Sequence, residues 1–231
     1  MDMRNEIYIS PHEEAPQTYT ISSERGYFVV KRLMDIIGAV CGLFIFTPLF
    51  CLISMLIKLE SPDDSVFFKQ IRVGKDGKEF CMYKFRSMCS DAEEKLGALL
   101  EYNEVEGPMF KMKDDPRVTR IGRFIRKHSI DEFPQLLNVL KGDMSLVGPR
   151  PPLPREVVQY TAYDKQRLIV VPGCTGLWQV SGRNNLSFDQ MVEFDIQYVK
   201  NASFINDIKI LCKTVGVVFG DHDAYIEGGE G

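Results

Sequence analysis

The sequence predicts an α+β protein: one long apolar helix interrupted by a proline, then a mainly helical domain that carries a small β-hairpin. Two observations carry this. From Ile36 to Ile57 no residue is charged and Pro48 stands inside the run. Beyond it, apolar positions recur mostly at helical spacing, with one pair of strand-like segments about a glycine-bounded turn. The chain has 231 residues and a net charge of −4, and the total charge excludes no partner. It divides into a polar tail over 1–30, an apolar segment over 31–58, a folded domain over 59–220 and a short tail over 221–231. Roughly 160 residues for one domain suffice to bury a core.

A straight helix over Ile36–Ile57 would reach roughly 33 Å, enough for a hydrocarbon core of ~30 Å. Pro48 gives no N–H to the carbonyl four residues back and crowds it, so the helix is expected to bend or break there, leaving two arms, at a cost of about 3 kcal/mol. Thr47, beside it, offers a hydroxyl to the freed carbonyl. Lys31 and Arg32 precede the run and Lys58 follows it, marking ends that stay in the cytoplasm. Two topologies fit these residues equally: a dip into one leaflet that turns at Pro48, and a single kinked span. A cleaved signal peptide does not fit, because the run is too long and no small-residue cleavage site follows. Asp35 is an early charge that must pair with Arg32 or stay at headgroup level.

In the domain, Val66–Val73 and Phe80–Phe85 flank Gly74-Lys75-Asp76-Gly77 as a hairpin. Lys84, Arg86 and Ser87 close it, two cations and a hydroxyl placed to meet a phosphate or water. Ser90 with Glu93 reads as a capping box opening a helix toward Leu100. Seven Lys or Arg residues lie between Lys111 and Lys127, against Asp114 and Asp115. Arg120, Arg123 and Arg126 recur every third residue, with Ile121, Phe124 and Ile125 on another face. Such a stripe suits lipid headgroups, a pyrophosphate or plain water.

Ser129-Ile130-Asp131-Glu132-Phe133-Pro134 follows. Pro134 suits a first helical turn, so Asp131 is the expected N-cap of a helix running to Leu140, and Ser129 with Glu132 matches a capping box. Two carboxylates at a helix N-terminus lie in the field that also binds phosphate oxygens. Carboxylates there stay ionised, and an ionised Asp can attack phosphorus without a base. Gly142 ends that helix. Prolines flank Arg150, restricting its guanidinium to few positions, which suits a bidentate phosphate ligand.

The loop Pro172–Arg183 holds three glycines and the single tryptophan. Trp178, Gln179 and Arg183 could shape a sugar or nucleotide pocket there. Ser187 with Gln190 caps a helix to about Lys200. A last helix runs from about Ile205 to Phe219, with Ile208, Leu211, Cys212, Val215, Val218 and Phe219 on one face, read as core rather than membrane surface, and Gly220 as its stop. Six cysteines show no C-x-x-C pair and read as reduced cytosolic thiols, and three scattered histidines make no metal cluster.

These blocks together resemble the bacterial sugar transferases, the monotopic polyprenyl-phosphate phosphoglycosyl transferases that begin exopolysaccharide, capsule and glycoconjugate assembly. The resemblance rests on Lys31-Arg32-Leu33-Met34-Asp35 before the proline-broken run, Lys84-Phe85-Arg86-Ser87-Met88, and Arg120-Ile121-Gly122-Arg123-Phe124. It rests further on Asp131-Glu132-Phe133-Pro134-Gln135-Leu136, Lys141 to Pro151 and Gly176 to Arg183. It covers roughly Lys31 to Gly220.

The resemblance implies a re-entrant helix-break-helix in the cytoplasmic leaflet, with Thr47 where the family usually has Ser before the proline. It implies a small, core-only member on the cytoplasmic face of the bacterial cell membrane. Asp131 would be the nucleophile and Glu132 its partner, together holding Mg²⁺. Lys84, Arg86, Arg126, Arg150 and Arg183 would hold phosphate or nucleotide. The substrates would be a UDP-sugar and undecaprenyl phosphate, with no nucleic acid; the oligomeric state stays open, a homodimer being one option. The sugar stays open among glucose, galactose and N-acetylated hexosamines, with a simple hexose preferred. A non-catalytic scaffold, or a module that binds anionic lipid or nucleic acid, is the rival reading.

Overall fold

The computed structural model describes residues 25–104, 107–110, 112–182 and 186–219. Helix α1 (Arg25–Glu60) is followed by the antiparallel hairpin β1 (Phe67–Val73) and β2 (Glu79–Phe85), then α2 (Ala92–Leu99) and α3 (Arg120–Lys127). A 3₁₀ segment (Ile130–Gln135) leads directly into α4 (Leu136–Lys141). Strand β3 (Ser145–Val147) pairs in parallel with β4 (Gly173–Thr175), and α5 (Pro154–Val157) lies between them. Helices α6 (Phe188–Lys200) and α7 (Phe204–Phe219) end the described chain. The hairpin lies within one residue of its expected bounds, whereas the β3–β4 pair was not expected: three-residue strands carry no readable period.

Helix α1 is long and apolar enough to cross a bilayer, yet one of its sides is packed against the domain from end to end. At its start the Tyr27 hydroxyl and Lys31 Nζ both donate to Asp207 Oδ2 on α7 at 2.9 Å. Arg32 donates to the carbonyls of Val139 and Leu140 at 2.6 and 2.8 Å, closing the C-terminal end of α4. Asp35 does not pair with Arg32 but accepts from Ser145 Oγ and the Leu146 amide. Ala39, Ile53 and Ile57 are buried among Met82, Val139, Phe85 and Ile125. At the far end the Glu60 carboxylate accepts from the amides of Arg120 and Ile121, the first of α3. The other side, including Leu33, Ile37, Val40, Phe44, Ile45, Leu52, Met55 and Leu59, is exposed throughout.

The expected break at Pro48 is corrected, because residues 25–60 form one continuous helix with Pro48 inside it. The Thr47 hydroxyl donates to Leu43 O at 2.7 Å, the carbonyl one residue before Phe44, whose partner Pro48 removes. The hydroxyl thus does not serve the freed carbonyl as expected, because it back-bonds the carbonyl four residues before it, a contact that bends a helix without ending it.

Other local expectations divide by what competes for the side chain. Ser187 and Gln190 form the expected capping box. Ser90 does not; Asp91 is the N-cap of α2 and makes no side-chain cap bond. On α7 the core reading is corrected: Asp207 and Ile210 are buried, while Ile208, Cys212 and Val215 face outward. The polar contacts of Asp207 rotate the helix and override its apolar stripe. Gly220 lies outside the described residues.

Candidate active site

The cleft is built from four backbone pieces. One face of the hairpin supplies the first: the register pairs Phe68 with Lys84, Gln70 with Met82 and Arg72 with Phe80, so alternation puts all six on one side. The 3₁₀ segment supplies Glu132 and Gln135, and the loop after β3 supplies Arg150 and Pro151. Gly173, Cys174 and Gln179 close the cleft.

Asn138 fixes these pieces. Fully buried on α4, it accepts from the Tyr83 amide at 3.0 Å and donates to Cys81 O at 2.7 Å, behaving like a neighbouring strand. It thereby ties α4 to the strand that carries Lys84. The result is an ion pair between Lys84 Nζ and Glu132 Oε1 at 2.6 Å.

Asp131 is not the N-cap expected from Pro134. Ser129 holds that place, with a positive φ of 56° and no side-chain cap bond, and Asp131 lies in the first turn of the 3₁₀ segment. The Ser129–Glu132 box does not form because Lys84 takes the Glu132 carboxylate. Asp131 is 9% exposed and lies beside the cleft, which Glu132 lines. Burial lifts its carboxyl above the usual range, Lys84 opposing and Glu132 adding to the rise. Burial would lift Glu132 too, but Lys84, Arg150 and Arg72 outweigh it and hold Glu132 ionised. One carboxyl is thus pushed up and its neighbour down.

The cationic residues separate. Lys84 and Arg150 meet in the cleft, and Arg126, exposed on α3, acts on Asp131 by its charge. Arg86 stands apart, donating from Nε to Ser65 O at 2.7 Å. Arg183 lies outside the described residues. Arg120 and Arg123 are exposed as expected, but so is Phe124, which packs its ring on His128 instead of joining the apolar face. Trp178 is buried with no partner for Nε1 among the described residues, whereas Gln179 reaches the cleft.

Arg72 was missed by sequence reasoning. It is 5% exposed, and burial, with Arg150 next, pushes its guanidinium down to about 10. The available signal was the hairpin register, which puts it on the face of Lys84. Cys174 also lines the cleft; burial, then Glu132, pushes its thiol up, keeping it protonated.

As a metal site, two carboxylates are too few for an all-protein cage, and among the described residues no group of three or more His, Cys, Asp or Glu side chains gathers. They fit Mg²⁺, which keeps waters and draws further ligands from substrate phosphates.

The cleft gathers cations about paired carboxylates, and the domain that holds it packs against a long apolar helix. The chain belongs to the bacterial sugar transferase family, whose model matches residues 26–221. It is 49% identical over 193 residues to galactosyl transferase CpsE of Streptococcus agalactiae, covering 83% of this chain and 42% of that one. It is 45% identical over 207 residues to undecaprenyl-phosphate galactose phosphotransferase of Salmonella typhimurium, covering 88% and 43%. Exopolysaccharide production protein ExoY of Rhizobium meliloti is 41% identical over 201 residues, covering 85% and 88%. The chain thus spans about two fifths of the length of the first two relatives.

Proposed function

We propose that this chain transfers a sugar 1-phosphate from a UDP-sugar to undecaprenyl phosphate on the cytoplasmic face of a bacterial membrane, as the first membrane step of exopolysaccharide or glycoconjugate synthesis. The observation that carries it is the Lys84–Glu132 pair next to Asp131, in a cleft that also holds Arg72 and Arg150. The three cations outnumber Glu132 and an ionised Asp131, so the cleft stays net positive toward an anionic substrate. Relatives named for galactose transfer and for an undecaprenyl-phosphate acceptor support a hexose and that lipid.

In this reading an Asp131 oxygen attacks the sugar-bearing phosphorus. The new O–P bond forms as the bond to the bridging oxygen breaks, and UMP leaves with that electron pair. A phosphate oxygen of the polyprenyl carrier then attacks the same phosphorus and frees Asp131. Lys84 and Arg150 hold phosphate oxygens, and Lys84, with Arg126 after it, favours the anionic form of Asp131. Asp131 and Glu132 would hold Mg²⁺, which when bound offsets the diphosphate charge.

The lipid phosphate lies at the interface, so the cleft must sit at headgroup depth. Contacts from α1 support this: Phe46, next to Thr47 and Pro48, packs on Phe133 with ring centroids 4.6 Å apart. Both ends of α1 dock on the domain, which favours attachment along one face of the membrane over a crossing. Purified full chain in detergent, given Mg²⁺, polyprenyl phosphate and a panel of UDP-sugars, is expected to release UMP, and Asp131→Asn to abolish release. An Asn variant that releases UMP at the wild-type rate would remove Asp131 as nucleophile.

A further inference from the structure

Three cations line the cleft, and two of them, Lys84 and Arg150, stand in sequence blocks with a clear phosphate reading. The third, Arg72, comes from the middle of the hairpin and is the most deeply set. Its guanidinium has five N–H donors. Nε and Nη2 meet Gln70 Oε1 at 3.1 and 2.8 Å, and Nη1 meets Pro151 O at 3.0 Å. Two N–H groups, one on each Nη, have no acceptor among these contacts. The next residue strengthens the link to the Arg150 loop: the Val73 amide donates to Pro152 O at 2.9 Å. Arg72 is therefore clamped on one edge by Gln70 and on another by the chain that carries Arg150.

No carboxylate makes a hydrogen bond or ion pair with Arg72 among the described residues, and Glu132, the carboxylate lining the cleft, is paired with Lys84. A buried cation without a paired carboxylate is unfavourable unless an anion completes it. Two guanidiniums facing one cleft repel each other until a ligand with several anionic oxygens comes between them.

We propose that Arg72 is a donor-site residue, its two remaining N–H groups binding phosphate oxygens of the nucleotide while its Pro151 bond holds the Arg150 loop in place. The proposal rests on the reading of this cleft as the UDP-sugar site and adds to it a residue and its role. Arg72 is assigned to the donor and not to the carrier lipid because its side-chain bonds go to Gln70 and to the loop that carries Arg150, and none of them goes to α1.

The test separates the two readings. UMP binding is measured by calorimetry on full-chain protein in detergent, and steady-state UMP release is measured against both substrates. Arg72→Gln is expected to weaken UMP binding and raise the KM for the UDP-sugar by about 10- to 100-fold, the range for losing hydrogen bonds to a charged group. The KM for polyprenyl phosphate is expected to stay unchanged, and Arg72→Lys to recover part of the loss by restoring charge without the fork. A purely structural prop would instead lower kcat against both substrates together and leave UMP affinity unchanged, which overturns the proposal. Should Arg72→Gln not fold, Gln70→Ala keeps the charge and releases its clamp; it is expected to weaken UMP several-fold, and unchanged affinity overturns the proposal. Wild-type protein that neither binds nor releases UMP overturns the parent reading instead.

Discussion

At the scale of single residues, the proposed chemistry depends on a contrast between neighbours. Asp131 is raised by burial while Glu132 is held down by Lys84, so the two carboxyls titrate apart. Asp131 is anionic only above its raised pKa, so UMP release is expected to fall as pH drops through a range higher than that of an ordinary aspartate. Lys84 is the largest opposing charge on Asp131. Lys84→Met is therefore expected to move that acid limb to higher pH and to lower kcat/KM by about 10- to 100-fold. A pH profile of kcat/KM for both proteins checks this; an unmoved limb would remove Lys84 from control of Asp131. Asn138 acts at one remove. Asn138→Leu strips the Tyr83 amide and Cys81 carbonyl of buried partners and is expected to cost about 3 kcal/mol in chemical unfolding.

At the scale of elements, legibility followed the range of the forces involved. The hairpin, the α6 capping box and the Gly142 stop were readable because each is settled within a few residues. The Ser129 and Ser90 boxes failed where other groups held the capping place or the side chain, Lys84 from 48 residues away in the first case. Lys84, Glu132 and Arg150 meet in the candidate cleft, but the place of Arg72 there needed the strand register, and Arg86, two residues on from Lys84, is set apart by its bond to Ser65. Helix α3 shows the same dependence. A Cβ at Gly122 would stand 1.9 Å from the Ser87 carbonyl oxygen, so that glycine lets the arginine helix touch the hairpin's end backbone to backbone. Gly122→Ala must push the two elements apart. It is expected to lower stability by at least about 2 kcal/mol and to weaken turnover by displacing Arg126, read by a melting scan beside the UMP assay.

At the scale of the whole molecule, the proposed function asks how one 36-residue helix can attach the domain to one face of a membrane. A helix of that length reaches about 54 Å, and a crossing would carry one end to the far side of the bilayer. The contacts oppose that. Tyr27 and Lys31 are bonded to α7, Arg32 to the end of α4, and Glu60 to the start of α3, all in one domain. Carrying either end across would strip Asp207 or the α3 amides of partners at several kcal/mol for each group left in hydrocarbon. The exposed side of α1 is apolar along its length and suits lipid, and the outward face of α7 adds Ile205, Ile208 and Val215. The two faces together would set the cleft at headgroup depth. Single cysteines introduced by Gly26→Cys and Ser61→Cys, in protein whose six native cysteines are replaced, are expected to resist an impermeant maleimide in intact cells. Both are expected to react in inside-out vesicles. Labelling of residue 26 from outside the cell, with residue 61 still protected, would mean that α1 spans the membrane and that its contacts with α7 do not hold there.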